Sequence, residues 1–324
     1  MNVLLLCLDA LRYDHVTPET MPWVDGRAAQ GTRWTNLRVA TERWTLPSVA
    51  SILFGDDDAV LRGPKGNIGR PTLAGRLDRT HRTAAFLGNP VFGMWGGMWM
   101  FDGFSFISGT GRTWAPRTID ELWQAFTTWL NCSAATTKKP WFSYMHLIEP
   151  HDPYLPGVKM NVPETHPPLS ALQKQELACG RYSKVQGPAD RNIGRLNIPE
   201  EAQEYLRQRY RAYCSHVDGR LSELVPQIED GNSIVVVTTD HGESLGENGL
   251  WAHGPGRHFH TEEVTHAFAC AWGPGITCRV NDAPATLAMV PAAIVGMLTS
   301  GVDLEWNREM AAVEEQLRTL GYIQ

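Results

Sequence analysis

Two short stretches end in residues able to hold a cation. Ile234-Val235-Val236-Val237-Thr238-Thr239 runs into Asp240-His241-Gly242-Glu243, and Asn2-Val3-Leu4-Leu5-Leu6-Cys7-Leu8 runs into Asp9. A carboxylate beside an imidazole offers oxygen and nitrogen donors to a divalent cation, and the following glycine lets the backbone turn away. Apolar runs this short read as strands buried on both faces. The carboxyl ends of such strands are where open α/β sheets bind ligands. Asp9, Asp240 and His241 are therefore expected to meet on one sheet edge and share one metal. The donors suit Mn, Zn or Mg, and Ca is compatible. The plainer alternative for Asp9 is a strand-end residue capping the next turn.

A third segment supplies a hydroxyl. Trp44-Thr45-Leu46-Pro47-Ser48-Val49-Ala50-Ser51-Ile52-Leu53-Phe54-Gly55 reads as a turn, a short helix and a glycine stop, with Pro47 suited to the first turn. Thr45 then sits beside a helix amino terminus, where backbone N–H groups and the dipole favour anions. A hydroxyl held between a metal and such a helix end can lose its proton and attack phosphorus or sulfur. The competing reading makes Thr45 only an N-cap.

The elements that must position these groups alternate. Thr83–Leu87, Trp141–Met145 and Ala267–Trp272 are strand-like. Thr118–Leu130 carries Ile119, Leu122, Phe126 and Leu130 on one helical face, and Pro199–Leu224 is a long helix with Leu206, Tyr210, Tyr213, Val217, Leu221 and Leu224 at helical spacing. Thr286–Leu298 reads as a late helix and Met310–Leu320 as a short one, while Leu155–Asn197, rich in Pro, Gly and charge, reads as an irregular insertion. Strands alternating with helices predict an α/β fold with a largely parallel sheet covered on both faces.

Composition bounds the function. The 324 residues, 43% of them hydrophobic, can bury a large core. Net charge is −6 without a long basic run, which argues against a general nucleic-acid partner. No apolar stretch reaches membrane-span length. The six cysteines are scattered without CxxC spacing, and Cys7 and Cys214 are expected as buried free thiols. With no basic, cleavable leader, this favours a cytoplasmic protein.

Taken together, the motifs resemble the alkaline phosphatase/sulfatase superfamily. Asn2–Asp14 resembles its opening strand and metal loop. Thr45–Gly55 is similar to the sulfatase signature, and His146-Leu147-Ile148-Glu149-Pro150-His151-Asp152-Pro153-Tyr154 to the family's Pro-His-x-Pro segment. Thr239–Gly254 is the closest match. The resemblance implies an alkaline-phosphatase-like three-layer α/β/α sandwich, with a catalytic domain over 1–275 and a helical extension over 276–324 packed on it. It implies Asp9, Asp240 and His241 as metal ligands, with Thr45 as fourth ligand and nucleophile. His253 and His151 are then the catalytic histidines, orienting the transferring group or protonating the leaving group. His146 and Asn89 are substrate contacts or part of the frame. Arg12 pairs with Asp14 rather than facing the anion.

Two departures qualify the likeness. Formylglycine sulfatases carry Cys or Ser where this chain has Thr45, followed by Arg where it has Val49; Ala10 replaces the second of their paired aspartates, and Gly88-Asn89-Pro90-Val91 occupies the place of their Lys-x-His motif. Threonine cannot be oxidised to an aldehyde. The expectation is a metal-dependent hydrolase of phosphate mono- or diesters acting on a small-molecule, lipid-linked or sugar-linked substrate through a phospho-threonine. The alternatives are a sulfatase working without formylglycine and a catalytically silent metal-binding relative.

Overall fold

A computed structural model describes residues 1–300 apart from 41, 68, 110–116, 136, 152–153, 155–199 and 255–256. The insertion expected at Leu155–Asn197 and the tail helix expected at Met310–Leu320 lie outside the described residues. The main sheet contains β1 (Asn2–Leu8), β2 (Thr32–Arg38), β3 (Arg82–Leu87), β4 (Phe106–Gly109), β5 (Trp141–Leu147) and β6 (Ser233–Thr239). A small hairpin of β7 (Ser244–Leu245) and β8 (Trp251–Ala252) follows, then β9 (His266–Trp272), β10 (Arg279–Asn281) and β11 (Ala285–Thr286). The order across the main sheet is β10-β2-β9-β6-β1-β5-β3-β4, with β11 also on β2. This is an alkaline-phosphatase-like α/β/α sandwich with a mostly parallel central sheet.

The alternation along β1 explains the three layers. Leu4, Leu6 and Leu8 point into one core, and Val3, Leu5 and Cys7 into another on the opposite face. The first core is covered by α1 (Pro22–Gln30) and two longer helices introduced below, the second by α2 (Thr45–Phe54). Between them in sequence, α3 (Ala59–Gly66), α4 (Leu73–Leu77) and α5 (Val91–Met94) flank α2. The helix expected from Thr118 is α6 (Ile119–Ala134), with Thr118 as its cap in a reciprocal box with Glu121. The long helix is α7 (Glu200–Leu224). After α8 (Glu262–Thr265), the late helix starts at Val290 as α9 (Val290–Ser300), preceded by a single 3-10 turn. Among the described residues, no helix is long and apolar enough to cross a membrane.

Two details differ from the sequence reading. Strand β9 runs antiparallel to both neighbours. The chain between β6 and β9 stays at one sheet edge and, among the described residues, carries no helix longer than the four-residue α8 to cross the sheet, so the next strand runs back. The region after residue 275 is not purely helical, because β10 and β11 add to β2 in the main sheet.

Candidate active site

β1 lies between β5 and β6, parallel to both, with Leu8 opposite Thr239 and Leu147. One residue further on, Asp9 and Asp240 therefore emerge side by side at the carboxyl edge. Both are fully buried, as is His241. Ala10 follows in a left-handed conformation at φ 58°, unusual for a residue with a Cβ. Its N–H donates to Asp240 Oδ1 at 3.1 Å and its carbonyl accepts from Tyr210 at 2.7 Å, so both backbone groups are fixed. Gly242 is required by space: a Cβ there would lie 1.8 Å from the carbonyl oxygen of Glu263.

Each carboxylate has one oxygen occupied and one left over. Asp9 Oδ2 accepts from Asn89 Nδ2 at 2.5 Å and meets His146 Nε2 at 3.0 Å; Asp240 Oδ1 accepts the N–H groups of Ala10 and His241. Asp9 Oδ1, Asp240 Oδ2 and His241 Nε2 are buried without a hydrogen bond. His241 Nδ1 lies 2.9 Å from the Gly242 carbonyl, which only accepts, so Nδ1 carries the proton and Nε2 presents its lone pair. That nitrogen is 3.6 Å from Asp9 Oδ1 and 3.4 Å from Asp240 Oδ2. Three lone-pair donors facing one another in a buried space repel unless a cation lies between them. Ligands bound at about 2.1 Å around a tetrahedral ion are about 3.4 Å apart, so the edges fit such an ion.

The electrostatics agree. Burial works against the Asp9 charge, but the imidazoles of His151, His146 and His241 and the His146 hydrogen bond outweigh it and hold the carboxyl below its ordinary range. Burial and the neighbouring Asp9 push Asp240 up. Burial, reinforced by His253, holds His241 well below an ordinary histidine and keeps it neutral, the form that ligates metals.

Thr45 is the first residue of α2, and the N-cap is Trp44, so Thr45 does not cap the helix. It is 3% exposed. Arg43, two residues earlier, bridges to Gly254 beside His253, and α2 packs on α5 just after Asn89. These contacts tie the start of α2 to the edge that carries the acidic cluster. The rings of His253 and His241 are 4.1 Å apart, and His151 packs edge-on against His253 at 4.8 Å. His146 is fully buried, with Tyr144 Oη 2.8 Å from Nδ1 and Asp9 at Nε2. The structure thus places both His146 and Asn89 against Asp9.

Sequence reasoning missed three residues. Glu243 Oε1 lies 3.0 Å from His253 Nδ1 and orients that ring. Tyr144 orients His146. Tyr210, on α7, accepts the Arg12 N–H and donates to Ala10, clamping the metal loop. Helical spacing marked Tyr210 as core, and no local pattern distinguishes it further. Arg12 forms the expected pair with Asp14, at 2.7 and 2.9 Å, and also reaches Glu247 at 2.6 Å, joining the Asp9 loop to the Asp240 loop.

Acidic and imidazole donors thus converge at the carboxyl edge of a mostly parallel sheet, as the resemblance to the alkaline phosphatase/sulfatase superfamily implies. The sulfatase family profile matches residues 1–300, and the chain belongs to that family. It is 25% identical to iduronate 2-sulfatase of Homo sapiens over 173 residues, 46% of this chain and 29% of that protein. The match thus spans less than a third of the curated relative. The fold is similar to phosphonate monoester hydrolase of Agrobacterium radiobacter, with a TM-score of 0.61 at 18% identity over 92% of this chain and 73% of that one. It is also similar to the soluble domain of lipooligosaccharide phosphoethanolamine transferase A from Neisseria meningitidis, with a TM-score of 0.63 at 15% identity over 96% and 91%.

Proposed function

We propose that this protein is a metal-dependent hydrolase of phosphate mono- or diesters in which Thr45 is the nucleophile. The observation that carries the reading is the trio of buried, unbonded donor atoms on Asp9, Asp240 and His241, at the sheet edge to which the start of α2 is tied. The residues fit a divalent ion. A neutral imidazole with two carboxylates favours Zn or Mn over the oxygen-seeking Mg and Ca. Such an ion supplies Lewis-acid stabilisation of the transferring group and makes a nearby hydroxyl more acidic.

Thr45 Oγ1 attacks phosphorus in line while its proton passes to solvent, the P–O bond to the leaving alcohol breaks, and the alkoxide takes a proton from an imidazolium. His151 and His253 are the candidates for that acid. Glu243 holds the His253 ring through Nδ1. Water then attacks the phospho-threonine, releasing phosphate or a phosphomonoester and restoring the hydroxyl. Asn89 and His146 hold Asp9 in this reading rather than touching substrate.

Phosphate is favoured over sulfate by the nucleophile. Water can still cleave a phospho-threonine, whereas a sulfo-threonine has no hemiacetal route to release. The iduronate 2-sulfatase likeness keeps a formylglycine-free sulfatase as the second reading. The test is kcat/KM for one aryl phosphate, one aryl phosphodiester and one aryl sulfate under each of Zn, Mn, Mg and Ca. We expect a phosphoryl ester to be turned over best. A sulfate preference above about tenfold, or 1.4 kcal/mol of transition-state stabilisation, overturns the assignment.

A further inference from the structure

Glu149 is a buried carboxyl with no part in the reaction steps above, and it lies two residues before His151. The segment between them is a tight turn. The His151 N–H donates back to the Ile148 carbonyl at 2.8 Å, with Glu149 and Pro150 at the corner. The corner is fixed to α6, because Glu149 Oε1 accepts the Ile119 N–H at 3.0 Å. The approach to α6 is itself anchored at the sheet edge, where the Arg117 N–H donates to the Gly88 carbonyl at 3.0 Å, one residue before Asn89. On the far side of His151, Arg209 of α7 donates to the Tyr154 carbonyl, and the Tyr154 ring packs on Tyr210 at 5.4 Å. His151 thus stands between two anchors, with its ring 4.8 Å from that of His253.

We propose that Glu149 is a positioning residue, holding the turn that presents His151 to the leaving group. The inference rests on the phosphoester reading above, in which His151 is a candidate acid, and adds the group that aims it. Glu149 does this in its protonated form. Its Oε2 is buried without a hydrogen bond, so one oxygen of an ionised carboxyl would stand uncompensated. Burial raises the carboxyl to about pKa 7; the Ile119 N–H opposes the rise, and the carboxylates of Asp120 and Glu121 on α6 add to it. From α7 the facing group is Tyr213, kept un-ionised by burial and by Glu149, while Arg209 acts on Tyr213 and bonds to the Tyr154 carbonyl and the Tyr205 hydroxyl. As pH rises past about 7, the carboxyl ionises beside Asp120 and Glu121, and the turn loses the geometry that aims His151. A small misplacement of an acid is costly because proton transfer needs hydrogen-bond reach.

The test compares the wild-type protein with Glu149→Ala, and with Glu149→Gln as the conservative rescue, on phenyl and 4-nitrophenyl phosphoesters. Glutamine keeps a carbonyl for the Ile119 N–H and cannot ionise, whereas alanine removes the acceptor. One unit above a pKa of about 7, roughly one carboxyl in eleven is still protonated. The ratio of kcat for Glu149→Gln to that of wild type should therefore be close to one at pH 6 and rise to about tenfold at pH 8. Glu149→Ala should lower kcat about tenfold more on the phenyl ester than on the 4-nitrophenyl ester, whose leaving group needs less protonation, with metal affinity within about threefold. A Gln-to-wild-type ratio that stays within about twofold from pH 6 to 8 overturns the proposal, as does an equal loss on both esters. If the wild-type protein turns over neither ester, the phosphoester reading has failed, and the positioning is judged on the His151 ring alone. Its Hε1 resonance, identified by its loss in His151→Asn, should move by more than its linewidth in Glu149→Ala and stay in place in Glu149→Gln at pH 6. A resonance unmoved in Glu149→Ala, or moved equally in both variants, overturns the proposal.

Discussion

Replacing His146 with alanine removes one of the two hydrogen bonds on Asp9 Oδ2 and leaves Asn89 as its sole partner there. Asp9 is fully buried, so no water replaces the lost bond without reorganisation. A hydrogen bond to a charged group contributes about 1.5–3 kcal/mol, and loss of an outer partner of a metal ligand costs roughly 10–100-fold in affinity. The two ranges agree, since each tenfold is about 1.4 kcal/mol. His146→Ala and Asn89→Ala are each expected to weaken Zn or Mn binding at least tenfold, measured by competition with a chromophoric chelator, with circular dichroism confirming the fold. Because both groups hold one oxygen, the double variant should depart from additivity by about 0.5 kcal/mol or more. Tyr144→Phe, which removes the hydroxyl 2.8 Å from the far side of the His146 ring, should give a smaller loss in the same direction. If metal affinity stays within threefold while KM rises tenfold, His146 and Asn89 are substrate contacts, and the positioning argument is refuted.

Other outcomes test separate parts of the reasoning. Thr45→Ala should abolish at least 99% of turnover while metal affinity stays within about tenfold, because Asp9, Asp240 and His241 remain. Peptide mass spectra of active protein should show Thr45 unmodified; activity confined to a Thr45→Cys variant made with a formylglycine-generating enzyme would contradict this. Glu149 is 1% exposed at the start of α6, where Oε1 accepts the Ile119 N–H at 3.0 Å, and burial raises its pKa from 4.5 to about 7. A raised carboxyl pKa penalises the charged folded form, so stability is full below pH 4.5 and is lost as pH rises to about 7. Between pH 5 and 8, denaturant titration should show wild type losing roughly 2–3 kcal/mol more than Glu149→Gln, from 1.36 kcal/mol per pKa unit. An equal loss in both proteins removes Glu149 as the cause.

The sequence by itself determined the alternation of strands and helices and the two carboxyl-terminal ends that carry Asp9, Asp240 and His241. Those features are local: an apolar run of seven residues is a buried strand wherever it lies, and its last residue falls at the sheet edge. Helix α6 was legible from its one-sided apolar spacing, whereas Thr118 emerged as its cap only in the structure. Only the tertiary structure decided that β1 and β6 are neighbours, which turns two separate motifs 230 residues apart into one cluster. It also decided the work of the residues around that cluster. Asn89, His146 and Tyr210 have no periodicity that reveals their partners, because each acts from a neighbouring strand end or from a helix on a different layer, and Glu243 meets His253 only through the fold of the loop between β6 and β9. The antiparallel course of β9 belongs to the same category. Strand direction depends on which edge the connecting chain leaves from, and that is a property of the assembled sheet rather than of the seven residues in the strand.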